Sequence, residues 1–290
     1  MPRLIIRPGG LGDTVLLAPA LAALREAGER SIHLVGYPER LEPLRAAGLV
    51  SRTWSLDRWM SSPEGVLGVL AEQGSVEDPE RCAIESFFDR LPDSLPKRLA
   101  VRIHPPAPDP GSGIHVVDHL ALSLGVTLAH PKSAPLAILL DWRRDDVENR
   151  IWMHPGGGGE FKRWPLERFL ALGETLRQEQ MEVRFLVGEA EAGWVETIAA
   201  HGIAVDQPDD PLALARLFRA ENLFVGNDSG PGHLAALMGL RTLTIFGPTD
   251  PRMWAPWGPR ARFLAPDETE RWPSVERALL EAARILSIPG

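Results

Sequence analysis

Residues 4–24 read LIIRPGGLGDTVLLAPALAAL, and this stretch decides the fold class. A short apolar strand turns through closely spaced glycines and continues as a helix, predicted over Thr14–Ala27. The same order returns in the second half of the chain, where a strand at Ile151–His154 leads through four glycines into a helix at Pro165–Glu179. Two repeats of strand, glycine turn and helix predict parallel sheets covered by helices.

Strand and helix patterns alternate along the rest of the chain. We predict strands at Arg3–Arg7, Ser31–Val35, Thr53–Leu56, Leu99–Ile103, Ile151–His154, Glu182–Val187, Asn222–Gly226 and Arg241–Phe246. The further predicted helices are Glu39–Ala47, Ser62–Glu72, Pro79–Arg90, His115–Leu124, Glu191–His201, Ala213–Ala220, Pro231–Gly239 and Val275–Leu286. The pattern therefore predicts an α/β protein made of Rossmann-like, doubly wound domains.

The regular alternation lapses between Pro131 and Arg150, where charged residues cluster. We place a domain boundary near residue 145, which gives domains 1–145 and 146–290. Two doubly wound domains that face each other would form a cleft between the carboxyl ends of their strands, where such sheets bind ligands. The terminal helix is a candidate to pack back on the first domain.

Composition excludes several classes of protein. With 290 residues, 44% apolar and 24% charged, the chain is neither disordered nor a coiled coil. A net charge of −8 argues against a nucleic-acid partner. The single cysteine, Cys82, fits a reducing compartment. The longest apolar stretch, Val15–Leu24, is about half the length of a membrane-crossing helix. We expect a cytoplasmic protein, and peripheral contact with the inner face of the membrane stays open.

The first candidate motif is Pro8–Thr14, PGGLGDT. Gly9, Gly10 and Gly12 lack the spacing of a dinucleotide fingerprint, and no Lys-Ser/Thr pair follows as in a Walker loop. Asp13 lies at the predicted start of the helix. It is either a helix-capping carboxylate or a general base beside a ligand.

The second motif, His154–Pro165, combines a glycine loop containing Gly156 and Gly157 with the cation Lys162. Free backbone N–H groups and an ammonium group suit a phosphate, whereas the alternative is a mobile turn with surface charges. Lysine is scarce and arginine abundant in this chain. A lysine at this position therefore indicates that a compact point charge is needed there and not the planar guanidinium of an arginine.

The third motif, Val225–His233, runs from strand through a polar turn into a helix. Capping of the helix alone explains Asp228 and Ser229 in about half of such cases. Capping does not explain His233, which lies in the first helical turn near the same spot. The fourth motif contains Thr249 and Asp250 after a strand, either at the mouth of the cleft or in a simple turn.

Two further patterns are weaker. His115 and His119 have the spacing of a zinc helix, but Val116 replaces the catalytic glutamate and no third ligand is evident, so we expect no metal. Trp254 and Trp257 suit stacking on a sugar or a nucleobase, and they suit core packing equally well.

Together these segments resemble the ADP-heptose heptosyltransferase family, glycosyltransferase family 9, whose members have the GT-B architecture. The matching stretches are Leu4–Leu24, Ile151–Phe169, Gly188–Glu191 and Leu223–Trp257, in family order. The resemblance implies an inverting glycosyltransferase that moves a sugar, expected to be heptose from ADP-heptose, onto a lipopolysaccharide core or another cell-envelope glycan. It implies no metal and no cofactor. The first domain would then lie on the acceptor side.

The resemblance also implies individual roles. Asp13 matches the general base, Lys162 the diphosphate-binding lysine, and Glu191 the glutamate that holds the adenosine ribose. The signature around the sugar and diphosphate comprises Asp228, Ser229, Gly230 and His233, with Thr249 and Asp250 in the neighbouring loop. Two alternatives stay open: a nucleotide-sugar-binding protein that has lost transfer, and a nucleotide-sugar epimerase. A nicotinamide dehydrogenase is disfavoured by the glycine spacing.

Overall fold

In the computed structural model the chain divides into two compact units, Met1–His130 and Pro131–Gly290. The structure describes residues 2–63, 67, 82–97, 99–128, 133–140, 150–219, 222–268 and 270–287. The predicted boundary near residue 145 falls outside these residues, and the division by contacts precedes it. Each unit carries a parallel sheet with helices, which confirms the α/β prediction. The cleft between the domains stays a prediction.

The described part of the first unit contains a five-stranded sheet in the order β3-β2-β1-β4-β5. Its strands are β1 (Arg3–Ile6), β2 (Ile32–Gly36), β3 (Arg52–Ser55), β4 (Ala83–Ser86) and β5 (Val101–Ile103). Its helices are α1 (Leu11–Val15), α2 (Ala18–Glu26), α3 (Pro38–Ala46), α4 (Leu56–Ser61) and α5 (Val116–Ser123). The strand order reverses at β1, which pairs with both β2 and β4. The turn after β1 thus lies at a topological switch point.

The prediction of a helix over Pro79–Arg90 is wrong, because β4 occupies Ala83–Ser86. This strand has only four residues, AIES, which is too short for its periodicity to separate a strand from a helix. Pairing with β1 on one side and β5 on the other makes it a strand. The predicted helix Ser62–Glu72 lies mostly outside the described residues.

The predicted helix Thr14–Ala27 is two helices. α1 ends at Val15 and α2 begins at Ala18, with Pro19 in the first turn of α2. Proline fits a first helical turn but has no N–H for a bond inside a helix, so the helix restarts at this point. Gly125, which follows the C-cap residue Leu124 of α5, has a positive φ of 74°, as is typical of glycine after the end of a helix.

The described part of the second unit contains a six-stranded sheet in the order β11-β10-β9-β6-β7-β8. Its strands are β6 (Arg150–His154), β7 (Glu182–Leu186), β8 (Ala204–Asp206), β9 (Leu223–Asn227), β10 (Arg241–Ile245) and β11 (Ala261–Leu264). Its helices are α6 (Leu166–Gln178), α7 (Val195–Ala200), α8 (Pro211–Leu217), α9 (Gly230–Leu237), α10 (Pro251–Trp254) and α11 (Val275–Leu286). Strand order reverses between β6 and β9. The loops after these two strands therefore lie next to each other at a switch point.

Several features of the second unit escaped prediction, namely β8, β11 and α10. The predicted helix Glu191–His201 begins as a 3-10 turn at Glu189–Trp194 and continues as α7. The terminal helix α11 packs against α6 and β10 of its own unit. Its packing on the first domain stays a prediction. Within the described parts of the chain, no helix has both the length and the apolar character needed to cross a membrane.

Candidate functional site

Asp13 lies in the first turn of α1 together with Gly12, and Gly9 and Gly10 form the connection from the carboxyl end of β1. Its Oδ2 accepts a hydrogen bond from the Gly10 N–H at 2.9 Å, which caps the start of α1. Its side chain nevertheless remains 44% exposed. The N-cap residue is Gly10 and Asp13 is the third residue of the helix, so Asp13 contributes a capping hydrogen bond without being the N-cap, and its carboxylate remains accessible. A Cβ on Gly9 would lie 2.6 Å from the Asp13 Cβ, so the turn requires glycine at this position.

A buried arginine, which was not among the predicted site residues, supports the same turn. The Arg7 side chain is 1% exposed; its Nε donates to the Asp13 carbonyl oxygen at 3.1 Å, and its Nη1 donates to that of Pro106 at 2.6 Å. Arg40 donates to the Gly9 carbonyl oxygen at 2.6 Å and stacks over Tyr37. The feature of the sequence that could have indicated Arg7 is its position as a charged residue at the end of an apolar predicted strand.

In the second unit, Asp228 follows β9 and pairs with two of the predicted residues. Lys162 Nζ donates to Asp228 Oδ2 at 3.0 Å, and His233 Nε2 lies 3.4 Å from Asp228 Oδ1. Burial opposes ionisation of Asp228. The hydrogen bond and charge of His233, together with Lys162, outweigh it and hold the pKa of Asp228 below its ordinary value. This carboxylate is therefore ionised and binds the lysine in place.

Of the two alternatives for Asp228 and Ser229, side-chain capping is not supported by the structure. Ser229 is the N-cap residue of α9, but its side chain makes no capping hydrogen bond. The buried Ser229 Oγ and His233 Nδ1 have no hydrogen-bond partner among the described residues. The first N–H groups of a helix also lack intrahelical partners. The start of α9, including Gly230, therefore presents unsatisfied polar groups beside Lys162, an arrangement that suits an anionic, hydroxyl-rich ligand.

Glu191 is buried in the 3-10 turn after β7, 7% exposed, and accepts from Arg163 Nη2 at 3.3 Å. Arg163 also donates to the Gly157 carbonyl oxygen and lies over Trp194. A Cβ on Gly156 would lie 2.6 Å from the Glu191 Cδ. The glycine loop thus packs directly on this carboxylate, because any larger residue at position 156 would clash with Glu191.

His154 and Asn227 complete the support of the glycine loop. Burial lowers the pKa of His154, whose Nδ1 donates to the Leu186 carbonyl oxygen at 3.0 Å, so the ring is neutral. Asn227 was not predicted. Its Nδ2 donates to the carbonyl oxygens of Pro155 and Gly156, and its Oδ1 accepts from a backbone N–H. It therefore joins the loop after β6 to the end of β9.

The loop after β10 behaves as a turn. Asp250 caps α10 by accepting from the Arg252 N–H at 2.9 Å, and its ion pair with the Arg252 side chain lowers the pKa of Asp250. Thr249 precedes it and is half-buried. The same short helix brings the Trp254 ring to 5.9 Å from Lys162 Nζ. Trp257 is 3% exposed, which supports its core-packing interpretation.

The two histidines with zinc-like spacing have structural contacts. His115 Nδ1 accepts from the Val117 N–H and caps α5, and His119 Nε2 donates to the Pro105 carbonyl oxygen. Among the residues that the structure describes, no three or more histidine, cysteine, aspartate or glutamate side chains form a group able to hold a metal ion.

Comparison with known proteins supports the resemblance of these motifs. Residues 145–282 match the family model of glycosyltransferase family 9 (heptosyltransferase). Lipopolysaccharide heptosyltransferase 3 of Escherichia coli K12 is 31% identical over 119 residues, 38% of this chain and 34% of that protein. Lipooligosaccharide heptosyltransferase 2 of Campylobacter jejuni is 30% identical over 115 residues, 37% of this chain and 36% of that protein. The matches thus span about a third of these curated relatives.

Solved structures share the fold over almost the whole chain. E. coli heptosyltransferase WaaC, solved with ADP, superposes with a TM-score of 0.72 at 18% identity, covering 98% of this chain and 100% of that one. E. coli ADP-heptose LPS heptosyltransferase II gives a TM-score of 0.70 at 17% identity, covering 99% and 98%. Both units therefore have the architecture of the domains in GT-B heptosyltransferases.

Proposed function

We propose that the chain is an inverting glycosyltransferase of family 9 (heptosyltransferase), the family whose model matches residues 145–282. The proposed donor is a nucleoside-diphosphate sugar, ADP-heptose in the first instance, because a related fold was solved with ADP-2-deoxy-2-fluoro heptose. The proposed acceptor is a sugar of a lipopolysaccharide core or another cell-envelope glycan, as the names of the curated relatives suggest. Cytoplasmic location and contact with the membrane surface stay predictions.

The observation that carries the proposal is the cluster of Lys162, Asp228 and His233 at the start of α9. A cation at 3.0 Å from a buried carboxylate, beside unpartnered serine and histidine atoms, offers donors and acceptors to a sugar and to its diphosphate. Lys162 would bind the diphosphate, and Asp228 with Ser229, Gly230 and His233 would bind the sugar and the adjacent phosphate.

Glu191 is suited to the nucleoside. Its carboxylate can accept hydrogen bonds from two vicinal hydroxyl groups, as a ribose presents. Arg163 and Gly156 already hold it in one place, so little side-chain freedom is lost when the nucleoside binds. Thr249 and Asp250 are proposed to flank the donor. Asp250 also caps α10 through the Arg252 N–H.

In the proposed reaction Asp13 is the general base. Asp13 Oδ2 caps α1, and Oδ1 would take the proton from an acceptor hydroxyl. The acceptor oxygen then attacks the anomeric carbon, the bond from that carbon to the phosphate oxygen breaks, and the nucleoside diphosphate leaves with the electron pair. Lys162 and the N-terminus of α9 would stabilise the negative charge on the leaving group. General-base help is worth about 10²–10⁴-fold, and each preorganised donor about 10²–10³-fold.

Two Asp13 variants test the base. Asp13→Asn keeps an oxygen for the Gly10 N–H but cannot accept the acceptor proton. We expect Asn to lower the transfer rate by about 10²-fold or more while ADP still raises the melting temperature. Asp13→Ala additionally loses the cap, about 1 kcal/mol of stability. Normal turnover by the Asn variant would show that another group is the base.

Ligand screening tests the donor. ADP at about 100 times its Kd should add about 2.7 kcal/mol of apparent stability, and UDP and GDP should add less. The transfer assay then offers ADP-heptose with a panel of glycan acceptors. A preference for UDP contradicts the proposed donor. Binding without transfer to any acceptor indicates a nucleotide-sugar-binding protein, and conversion of the donor without an acceptor indicates an epimerase.

A further inference from the structure

Arg7 is a cation in a position where charge is costly. Its side chain is 1% exposed at the end of β1, with its guanidinium carbon 5.2 Å from the centre of the Phe87 ring. Burial lowers the pKa of Arg7 from its ordinary value, and the charge of Asp13 opposes that effect. A buried cation is retained when a partner compensates it. In the described part of the chain, the carboxylate within ion-pair distance of Arg7 is that of Asp13.

The planar guanidinium divides its donors between two segments. Nε donates to the backbone oxygen of Asp13 at 3.1 Å, and Nη1 donates to that of Pro106, in the loop after β5, at 2.6 Å. Three parts of the sheet edge thus converge on one side chain: the end of β1, the start of α1 and the loop after β5. The Asp13 backbone is fixed to a neighbouring loop as well as to its own helix.

The third nitrogen faces the carboxylate. Nη2 lies 3.7 Å from Asp13 Oδ1, beyond hydrogen-bond distance, and has no hydrogen-bond partner although it is buried. The oxygen that Arg7 faces is the one that the Gly10 cap leaves unused. Asp13 is therefore held at its backbone by Nε and at Oδ2 by Gly10, while Oδ1 lies beside a positive charge.

We infer that Arg7 is a positioning residue for Asp13, which it orients for proton transfer. This inference rests on the proposed function, in which Asp13 is the base. Arg7 itself does not touch the acceptor in this scheme. Misplacement of a reacting group by about 1 Å can cost about 10²-fold in rate, so loss of Arg7 should lower kcat while leaving donor binding to the second unit unchanged.

The primary test compares Arg7→Met and Arg7→Lys with the control Arg25→Met. Arg25 also donates to backbone oxygens, those of Leu49 and Arg30, but these contacts are distant from Asp13 in the sequence and support another loop. We expect Met at position 7 to lower kcat by about 10²-fold with little change in the KM for the donor. Lysine at position 7 keeps the positive charge but lacks the planar set of guanidinium N–H donors, so we expect Arg7→Lys to lose less kcat than Arg7→Met. Arg25→Met should keep the kcat of the parent protein.

A double variant separates positioning from general structural support. If Arg7 acts through Asp13, adding Arg7→Met to Asp13→Asn should lower the residual single-turnover rate by less than about threefold. If the role of Arg7 is purely structural, Arg7→Met should lower the single-turnover rate of the Asp13→Asn variant by the same factor as it lowers that of the parent protein. That result would overturn the inference. Parental kcat in a folded Arg7→Met variant would overturn it too. If Arg7→Met does not fold, Arg7→Lys decides: parental kcat contradicts the inference, and a reduced kcat at constant donor KM supports it.

The outcomes distinguish this inference from the proposed function. Full turnover by Asp13→Asn removes the base assignment, and with it the reason for a positioning residue. An inactive Asp13→Asn protein together with a fully active Arg7→Met protein leaves the proposed function intact and rejects the role of Arg7 alone.

Discussion

Gly156 and Gly157 are neighbours in one loop, yet we expect opposite responses when each receives a methyl group. A Cβ on Gly156 would lie 2.6 Å from Glu191 Cδ and 2.8 Å from His154 Cε1, and both of those side chains are buried. A Cβ on Gly157 would meet its nearest neighbour, Arg163 Cγ, at 3.7 Å, an ordinary van der Waals distance. Neither glycine has a positive φ, so space rather than backbone strain decides the outcome.

The expected magnitude follows from these distances. Overpacking a tight site costs about 1–3 kcal/mol, and replacing glycine by alanine returns about 0.4–1 kcal/mol by restricting the unfolded chain. For Gly156→Ala a net loss of about 1–2 kcal/mol should lower the melting temperature by about 2–8 °C. Gly157→Ala should leave it unchanged or slightly raised. Displacement of Glu191 should also weaken ADP binding, by about tenfold or more if one charged hydrogen bond is lost.

Differential scanning fluorimetry of both variants, followed by calorimetric titration of Gly156→Ala with ADP, measures these effects. A third variant tests the cause: in a Glu191→Ala background the Gly156→Ala change should cost less, because the closest obstacle has been removed. Equal melting temperatures for Gly156→Ala and Gly157→Ala would show that the space around Gly156 is not limiting. So would an undiminished cost of Gly156→Ala in the Glu191→Ala background.

Three further expectations concern titratable groups. Asp228→Asn should lower the melting temperature at pH 7, because the depressed pKa of Asp228 makes its ionised form stabilising above the pKa of the unfolded state. The difference in melting temperature from the parent protein should shrink as the pH falls below about 4. A constant difference from pH 7 to pH 2 would argue against this. Burial lowers the pKa of His33 to about 4 from 6.5, so stability should decline as pH falls from 6.5 towards 4, and His33→Gln should lessen that decline in a series of melting curves. The buried Cys82 thiol has a pKa raised to about 11, so a chromogenic disulfide reagent at pH 8 should label it only after unfolding; rapid labelling of native protein would contradict its burial.

Much of the fold followed from local pattern. The strands before the two glycine turns formed at the predicted places, as did the helix after the second turn, whereas the helix predicted after the first turn is divided before Pro19. The strand β4 did not follow from local pattern, since its identity comes from pairing with β1 and β5. Long-range pairing overrode a helical interpretation of the same letters.

The candidate site was predictable in its chemistry and less so in its contacts. Lys162 and Asp228 were both singled out, but their mutual ion pair joins residues 66 positions apart. Arg7 and Asn227 were missed, because an arginine at a strand end and an asparagine in a turn are common surface features in a sequence. Their importance comes from burial, which makes each hydrogen bond hard to replace by water.

The sequence by itself determined the alternating α/β order, the glycine turns and the residue types able to handle a phosphate, a sugar and a proton. These properties depend on neighbours within a few positions, through backbone freedom, apolar periodicity and side-chain chemistry. The tertiary structure alone decided that β6 lies beside β9, so that the glycine loop meets the Asp228 turn, and that Arg7 is buried against Asp13. Strand order and burial arise from contacts between distant segments, and such contacts form only when the whole unit folds.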